Sequence, residues 1–150
     1  MKKIAIFTLC LSFCLTACKK DDYAETDEQL ILDYIADKNL NAQSTEEGVY
    51  YVIESEGTGE RPNSSSEVEV HYEGFLLNGT KFDSSIDRGE TLIISLSNVI
   101  SGWQIGIPLF KEGGRGTLLI PSRYAYGSNG QGQIPANAVL VFDIDLRDVR

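Results

Sequence analysis

Hydrophobic positions along this chain follow three different rules in turn. Residues Ile4 to Leu15 are almost uniformly apolar behind Met1-Lys2-Lys3. Residues Leu30, Ile31, Tyr34 and Ile35 recur at the three- and four-residue spacing of one helix face. From Gly48 onward the period drops to two. Val68, Val70 and Tyr72 alternate with Glu67, Glu69, His71 and Glu73, as in a strand with one wet face. Val49, Tyr51 and Ile53 form another such set, and so do Leu92, Ile94 and Leu96. Leu118 with Ile120, and Leu140, Phe142, Ile144 and Leu146, complete the series. Asn78-Gly79 is a tight-turn signal. Val99, Ile100, Trp103 and Ile107 fit a short helix that Pro108 would stop. The pattern predicts an α+β fold: a mostly antiparallel sheet with one helix across a face.

The helical set predicts a helix over 27–39. Thr26-Asp27-Glu28-Gln29 reads as a capping box, in which Thr26 accepts from the amide of Gln29, and Asp27 and Glu28 complement the helix dipole. A helix with a single apolar stripe needs a partner. Its own domain, a second copy and another protein all satisfy that requirement.

The apolar stretch at the start is too short to span a bilayer and has the length and basic flank of a signal-peptide core. It ends in Leu15-Thr16-Ala17-Cys18, which resembles a lipobox. That resemblance implies a leader over 1–17, cleaved so that Cys18 becomes a lipidated N-terminus, with 18–26 a lipidated linker to the envelope. An ordinary secretory leader cut near Ala17 is the alternative. The next residues, Lys19-Lys20-Asp21-Asp22, are similar to charged surface-export signals of lipoproteins and equally suit a solvated linker.

Composition narrows the functions open to the chain. Its 150 residues hold one domain with extras, and 42% hydrophobic residues can build a core. Beyond residue 17 there are 11 basic and 22 acidic residues, a balance of −11. That charge opposes phosphate backbones, and no Lys/Arg cluster overrides it, so nucleic acid is not expected as a partner. Cys10, Cys14 and Cys18 are the only cysteines and His71 the only histidine, which leaves no disulfide framework and no thiolate metal site downstream. A Ser–His–Asp set would have to use His71, which lies in an alternating strand without a nucleophile elbow. Gly113-Gly114-Arg115-Gly116 lacks the Lys-Ser/Thr ending of a phosphate loop and reads as a turn.

What remains is a series of aromatic, glycine-punctuated phrases. They are Val70-His71-Tyr72-Glu73-Gly74, Gly79-Thr80-Lys81-Phe82-Asp83-Ser84-Ser85 and Val99-Ile100-Ser101-Gly102-Trp103. Ile120-Pro121-Ser122-Arg123-Tyr124-Ala125-Tyr126-Gly127 and the run from Ile134 to Asp143 follow. In this order and spacing the stretch from about Tyr50 to Val149 resembles the FKBP family of peptidyl-prolyl isomerases. The helix and the Gly48–Ile53 entry are more loosely similar to lipoprotein members of that family in gliding bacteria.

The resemblance implies a 27–47 helical extension and a 48–150 isomerase domain, an antiparallel half-barrel sheet wrapped around the Trp103 helix with an apolar pocket between them. Trp103 would floor the pocket, with Tyr72, Phe82 and Phe142 as walls and Val99 and Ile100 at the rim. The Ile100 N–H and the Tyr126 hydroxyl would donate to substrate carbonyls. Asp83 would be a buried polar group beside the rotating amide, paired with Arg88, and Ile134 would lie on a flap next to Tyr126. Leu92 stands where the family commonly has an aromatic residue. Ser97-Asn98 is a shortened approach to the pocket helix, and the Ser128–Gln133 flap is short and polar. The implied partners are proline-containing polypeptides and, depending on those departures, macrolides. No cofactor or metal is implied. The implied activity is assistance to exported-protein folding at the envelope. The alternative is an FKBP-fold chaperone or binding subunit of an envelope complex.

Overall fold

The computed structural model describes residues 20–150, with side chains from Thr26 onward. The apolar leader and Cys18 lie outside the described residues. Helix α1 runs Lys20–Lys38, followed by strands β1 (Gln43–Ser44), β2 (Tyr50–Ser55), β3 (Glu67–Leu76) and β4 (Lys81–Ser84). A one-turn helix α2 (Ser85–Arg88), β5 (Leu92–Ser95), α3 (Ser101–Gly106), β6 (Arg115–Ile120) and β7 (Leu140–Val149) complete the order. The strands form one antiparallel sheet in the order β1-β2-β6-β7-β3-β4. β4 and β5 share one edge of β3: β4 pairs with Glu73–Phe75 and β5 with Glu67–Val70.

The period-two sets become the inner face. Val68, Val70, Tyr72, Leu118, Ile120, Leu140, Phe142, Ile144 and Leu146 all point into one core. α3 fills the concavity with Trp103, and Ile107 and Phe110 extend the contact. Each fully buried aliphatic side chain of this kind contributes about 1.5–3 kcal/mol. Close approach of α3 needs two glycines. A Cβ on Gly102 would stand 2.3 Å from Ile120 Cγ2, and one on Gly106 2.6 Å from Leu118 Cδ1. α3 ends at Gly106, and Pro108 sits within a following 3-10 turn, Ile107–Leu109, instead of ending the segment. The Asn78-Gly79 turn joins β3 to β4, with Gly79 at φ 84° and Leu76 N–H donating to Thr80 O at 2.9 Å. β4 itself carries too short a run for its alternation to be read from the sequence.

α1 differs from expectation at its start. It begins at Lys20, so the stretch expected as linker is helical from that residue, and Thr26 lies inside the helix where no cap is required. Asp27 is 3% exposed and is used for a tertiary contact instead of the dipole. The stripe is also narrower than its spacing suggests. Ile31 is fully buried, with Tyr34 and Ile35 beside it, whereas Leu30 is 42% exposed. This face packs on the outer side of the sheet against Leu119, Val139 and Val141. The sheet therefore carries a helix on each face, and α1 finds its partner within its own chain.

Candidate active site

Between the inner face of the sheet and the N-terminal end of α3 lies a cavity of about 290 Å³. Its lining is Tyr72 and Phe142 from the sheet, Phe82 and Asp83 from β4, Leu92 and Ile94 from β5, Asn98, Val99 and Ile100 before α3, Trp103, and Tyr126. The aromatic members lock one another edge to face. The Trp103 ring lies 5.2 Å from Tyr72 at 85° and 5.3 Å from Phe142 at 81°, and Phe82 meets Phe142 at 5.5 Å and 86°. Edge-to-face pairs add about 0.5–1.5 kcal/mol each beyond area burial, which fixes the walls in place before any ligand arrives. Gly74 makes room for them: a Cβ there would come within 2.6 Å of the Phe82 ring.

One side of the cavity is polar. Asp83 accepts from the Tyr72 hydroxyl, from Arg88 Nη1 and, at 2.8 Å, from the Ser84 N–H. Arg88 Nη2 also donates to the Tyr72 oxygen at 3.0 Å. Asp83 is not the buried group the resemblance implied, since 42% of its side chain is exposed at the mouth. The reason is its place in short β4, followed at once by α2, which brings Arg88 over it from the solvent side. Burial alone would raise the Asp83 pKa. The bonds from Tyr72 and Arg88, with the Arg88 charge, outweigh that and hold it below the ordinary carboxylate range. Burial, then the Asp83 charge, push the Tyr126 hydroxyl above the ordinary tyrosine value, so Tyr126 is a protonated donor at neutral pH. Burial and the bond to Asp83 raise Tyr72 likewise, against the opposing influence of Arg88.

Ile100 caps α3 without a side-chain bond, and its carbonyl accepts from the Trp103 and Gln104 amides at 2.9 and 3.2 Å. The Ile100 N–H makes no hydrogen bond to another described residue. Ile134 does not line this cavity. It is 8% exposed and lines an adjoining one with Phe82, Asp83, Tyr126 and Gln131–Gln133. Arg88 acts through Asp83 and Tyr72 without lining either cavity.

Three contributors escaped the sequence reading. Ile94 shares a strand face with Leu92, and Asn98 sits in the shortened approach to α3. Gln104 fixes the rim from within the helix by donating Nε2 to Val99 O at 3.0 Å. The alternation of β5 could have pointed to Ile94, whereas the Gln104 bond has no sequence signal. His71 meets Ser85 at 3.0 Å, but Ser85 is fully buried and its hydroxyl bonds the Tyr72 backbone, so the pair is structural. Among the described residues no cluster of His, Cys, Asp and Glu is placed to hold a metal.

A family model described as FKBP-type peptidyl-prolyl cis-trans isomerase matches residues 58–147. The chain belongs to this family. The FKBP-type isomerase FkpA of Aeromonas hydrophila is 46% identical over 134 residues, covering 88% of this chain and 50% of that protein. FkpA of Escherichia coli K12 is 42% identical over 117 residues, 78% of this chain and 43% of that one. The chain thus spans about half the length of the curated relatives it matches. Among solved structures, Escherichia coli FkpA superposes with a TM-score of 0.77 at 36% identity, covering 87% of this chain and 62% of that one. A peptidyl-prolyl cis-trans isomerase from Pseudomonas syringae pv. tomato gives 0.75 at 30%, covering 89% and 98%. The half-barrel around one short helix is therefore the FKBP fold, with α1 added on its outer face.

Proposed function

We propose that this chain is a peptidyl-prolyl cis-trans isomerase for exported polypeptides, held at the cell envelope by a lipid on Cys18. The observation that carries the isomerase reading is the preorganised aromatic cavity with Asp83 and Tyr126 at its mouth. Rotation about an X–Pro bond needs no bond made or broken, only loss of amide resonance against a barrier of about 18–20 kcal/mol. The planar amide is more polar than the twisted one. An apolar wall around the proline therefore disfavours the ground state relative to the transition state. Trp103, Tyr72, Phe82 and Phe142 supply that wall. The Tyr126 hydroxyl and the Ile100 N–H supply donors for the flanking carbonyls, which holds the substrate in a turn as it twists. Asp83, kept ionised by Arg88 and Tyr72, faces the amide as its nitrogen loses conjugation.

A protease-coupled isomerisation assay on residues 19–150 tests the activity. Catalysis above the spontaneous rate, abolished or greatly reduced by Trp103→Ala, is the expected result. Equal, background rates for both forms would leave only a binding role for the fold. The location rests on the apolar leader and Leu15-Thr16-Ala17-Cys18. Two or three acyl chains at about 0.8 kcal/mol per buried CH₂ give lasting anchorage. Incorporation of labelled palmitate into the wild type and not into Cys18→Ser is expected; equal labelling of both would refute the anchor.

A further inference from the structure

We infer that Asp27 of α1 is a positioning residue for Tyr126, so that the N-terminal helix sets one wall of the active site from outside the matched domain. Asp27 is 3% exposed and is the one buried charged side chain among the described residues. A buried carboxylate is expensive unless hydrogen bonds replace its water. Asp27 Oδ2 finds two of them on a single residue: it accepts from Ser122 N at 2.8 Å and from Ser122 Oγ at 2.7 Å. Ser122 is 95 residues away in sequence and is itself 3% exposed.

Ser122 is the first residue of the turn Ser122–Tyr124, and that turn delivers Tyr126. Its N–H and hydroxyl are held by Asp27, and its carbonyl accepts from Ala125 N at 3.0 Å. Asp27 thus serves as the missing cap of this turn, which has no side-chain cap of its own. A second clamp reaches the next residue from the same extension: Arg123 Nη2 donates to Glu47 O at 2.7 Å while its guanidinium covers the Tyr124 ring at 4.9 Å. Both clamps come from residues preceding the matched stretch 58–147.

Beyond the turn the loop is tied to itself. Asn137 N donates to Gly127 O at 2.8 Å, and Gln131 and Ile134 exchange backbone bonds at 2.8 and 2.9 Å. A loop stapled internally moves as a unit about its base, and its base is where Asp27 holds it. Ile31, one turn along the same helix face and fully buried against Leu119 and Val141, fixes the helix that carries Asp27.

The kinetic part of this inference rests on the isomerase reading, so the test pairs an activity with a measurement independent of it. In the full-length protein, Asp27→Ala is expected to speed amide exchange across 122–134 about tenfold while β3 and β7 stay protected. It is also expected to lower kcat/KM about fivefold, mostly through KM. Asp27→Asn keeps an acceptor oxygen and should restore most of both. The fivefold loss should shrink in a Tyr126→Phe background, because the effect passes through that hydroxyl; a purely structural role would leave it undiminished. Unchanged exchange at 122–134, or faster exchange with unaltered kcat/KM in an active wild type, overturns the inference. If the wild type proves inactive, the isomerase reading fails and exchange alone decides the coupling. Should Asp27→Ala not fold, Ser122→Ala removes one of the two bonds and replaces it in each comparison.

Discussion

Gly102→Ala measures how tightly the sheet grips the pocket floor. The added Cβ would lie 2.3 Å from Ile120 Cγ2 and 2.8 Å from its Cδ1, the first more than 1 Å inside ordinary contact. Ile120 cannot yield easily. It is fully buried, and its β-branched side chain is restricted at χ1. Overpacking of this kind costs about 1–3 kcal/mol, while replacing a helical glycine by alanine returns about 0.5–1 kcal/mol. A contact this short takes the upper end of the first range, so the net is a loss of about 2–2.5 kcal/mol, read as a fall in the urea midpoint with an unchanged m-value. For a chain of this size each kcal/mol corresponds to about 2–4 °C in Tm. Gly106→Ala is the internal comparison: its Cβ meets Leu118 Cδ1 and Cδ2 at 2.6 and 2.7 Å, the far ends of a more flexible side chain, so it should cost less. Because Trp103 adjoins Gly102, Gly102→Ala should also lower kcat/KM at temperatures where the protein is fully folded. Ile120→Ala removes the clashing atoms, so its own cost should be smaller in the Gly102→Ala background. A Gly102→Ala protein as stable as wild type, or a larger cost at position 106, would refute the close-packing argument.

The electrostatics of the mouth predict a pH profile. Asp83 has a folded pKa below its unfolded value of about 3.9, so its contribution to stability is present above that value and is lost as pH falls through the folded pKa. With Tyr126 shifted upward, kcat/KM should be level from about pH 5 to 9, and Arg88→Met should move the acid limb to higher pH; a wild-type break near pH 6–7 would contradict this. Tyr126→Phe should fold normally and lose about 2- to 10-fold in kcat/KM, the effect of one neutral hydrogen bond of about 0.5–1.5 kcal/mol. No loss would remove its hydroxyl from the mechanism.

Why the inner half of this molecule was legible and the outer half was not follows from how each is held. The core strands announce themselves because a period of two can bury only one face; Val68, Val70 and Tyr72 could hardly sit otherwise. Tyr72 and Trp103 lie in phrases whose glycines mark close approach: Gly74 is where the Phe82 and Phe142 rings come nearest the sheet, and Gly102 is where the helix comes nearest Ile120. The pairing of Asp83 with Arg88 was legible from the resemblance, whereas its exposure at the mouth was not, because burial depends on what packs over β4, a tertiary matter without a periodic signal. Asp27 misled more instructively. A charged residue near a threonine looks like helix-terminus chemistry, and local chemistry alone offers no reason to bury it. Its partner is Ser122, 95 residues away, and only the packing of Ile31 on Leu119 and Val141 brings the two together. The same distance makes the contact consequential. A local cap would stabilise α1 alone, whereas this bond joins α1 to the turn that carries Tyr126. Truncation before residue 48 would spare every residue lining the pocket and still take away what holds one of them in place.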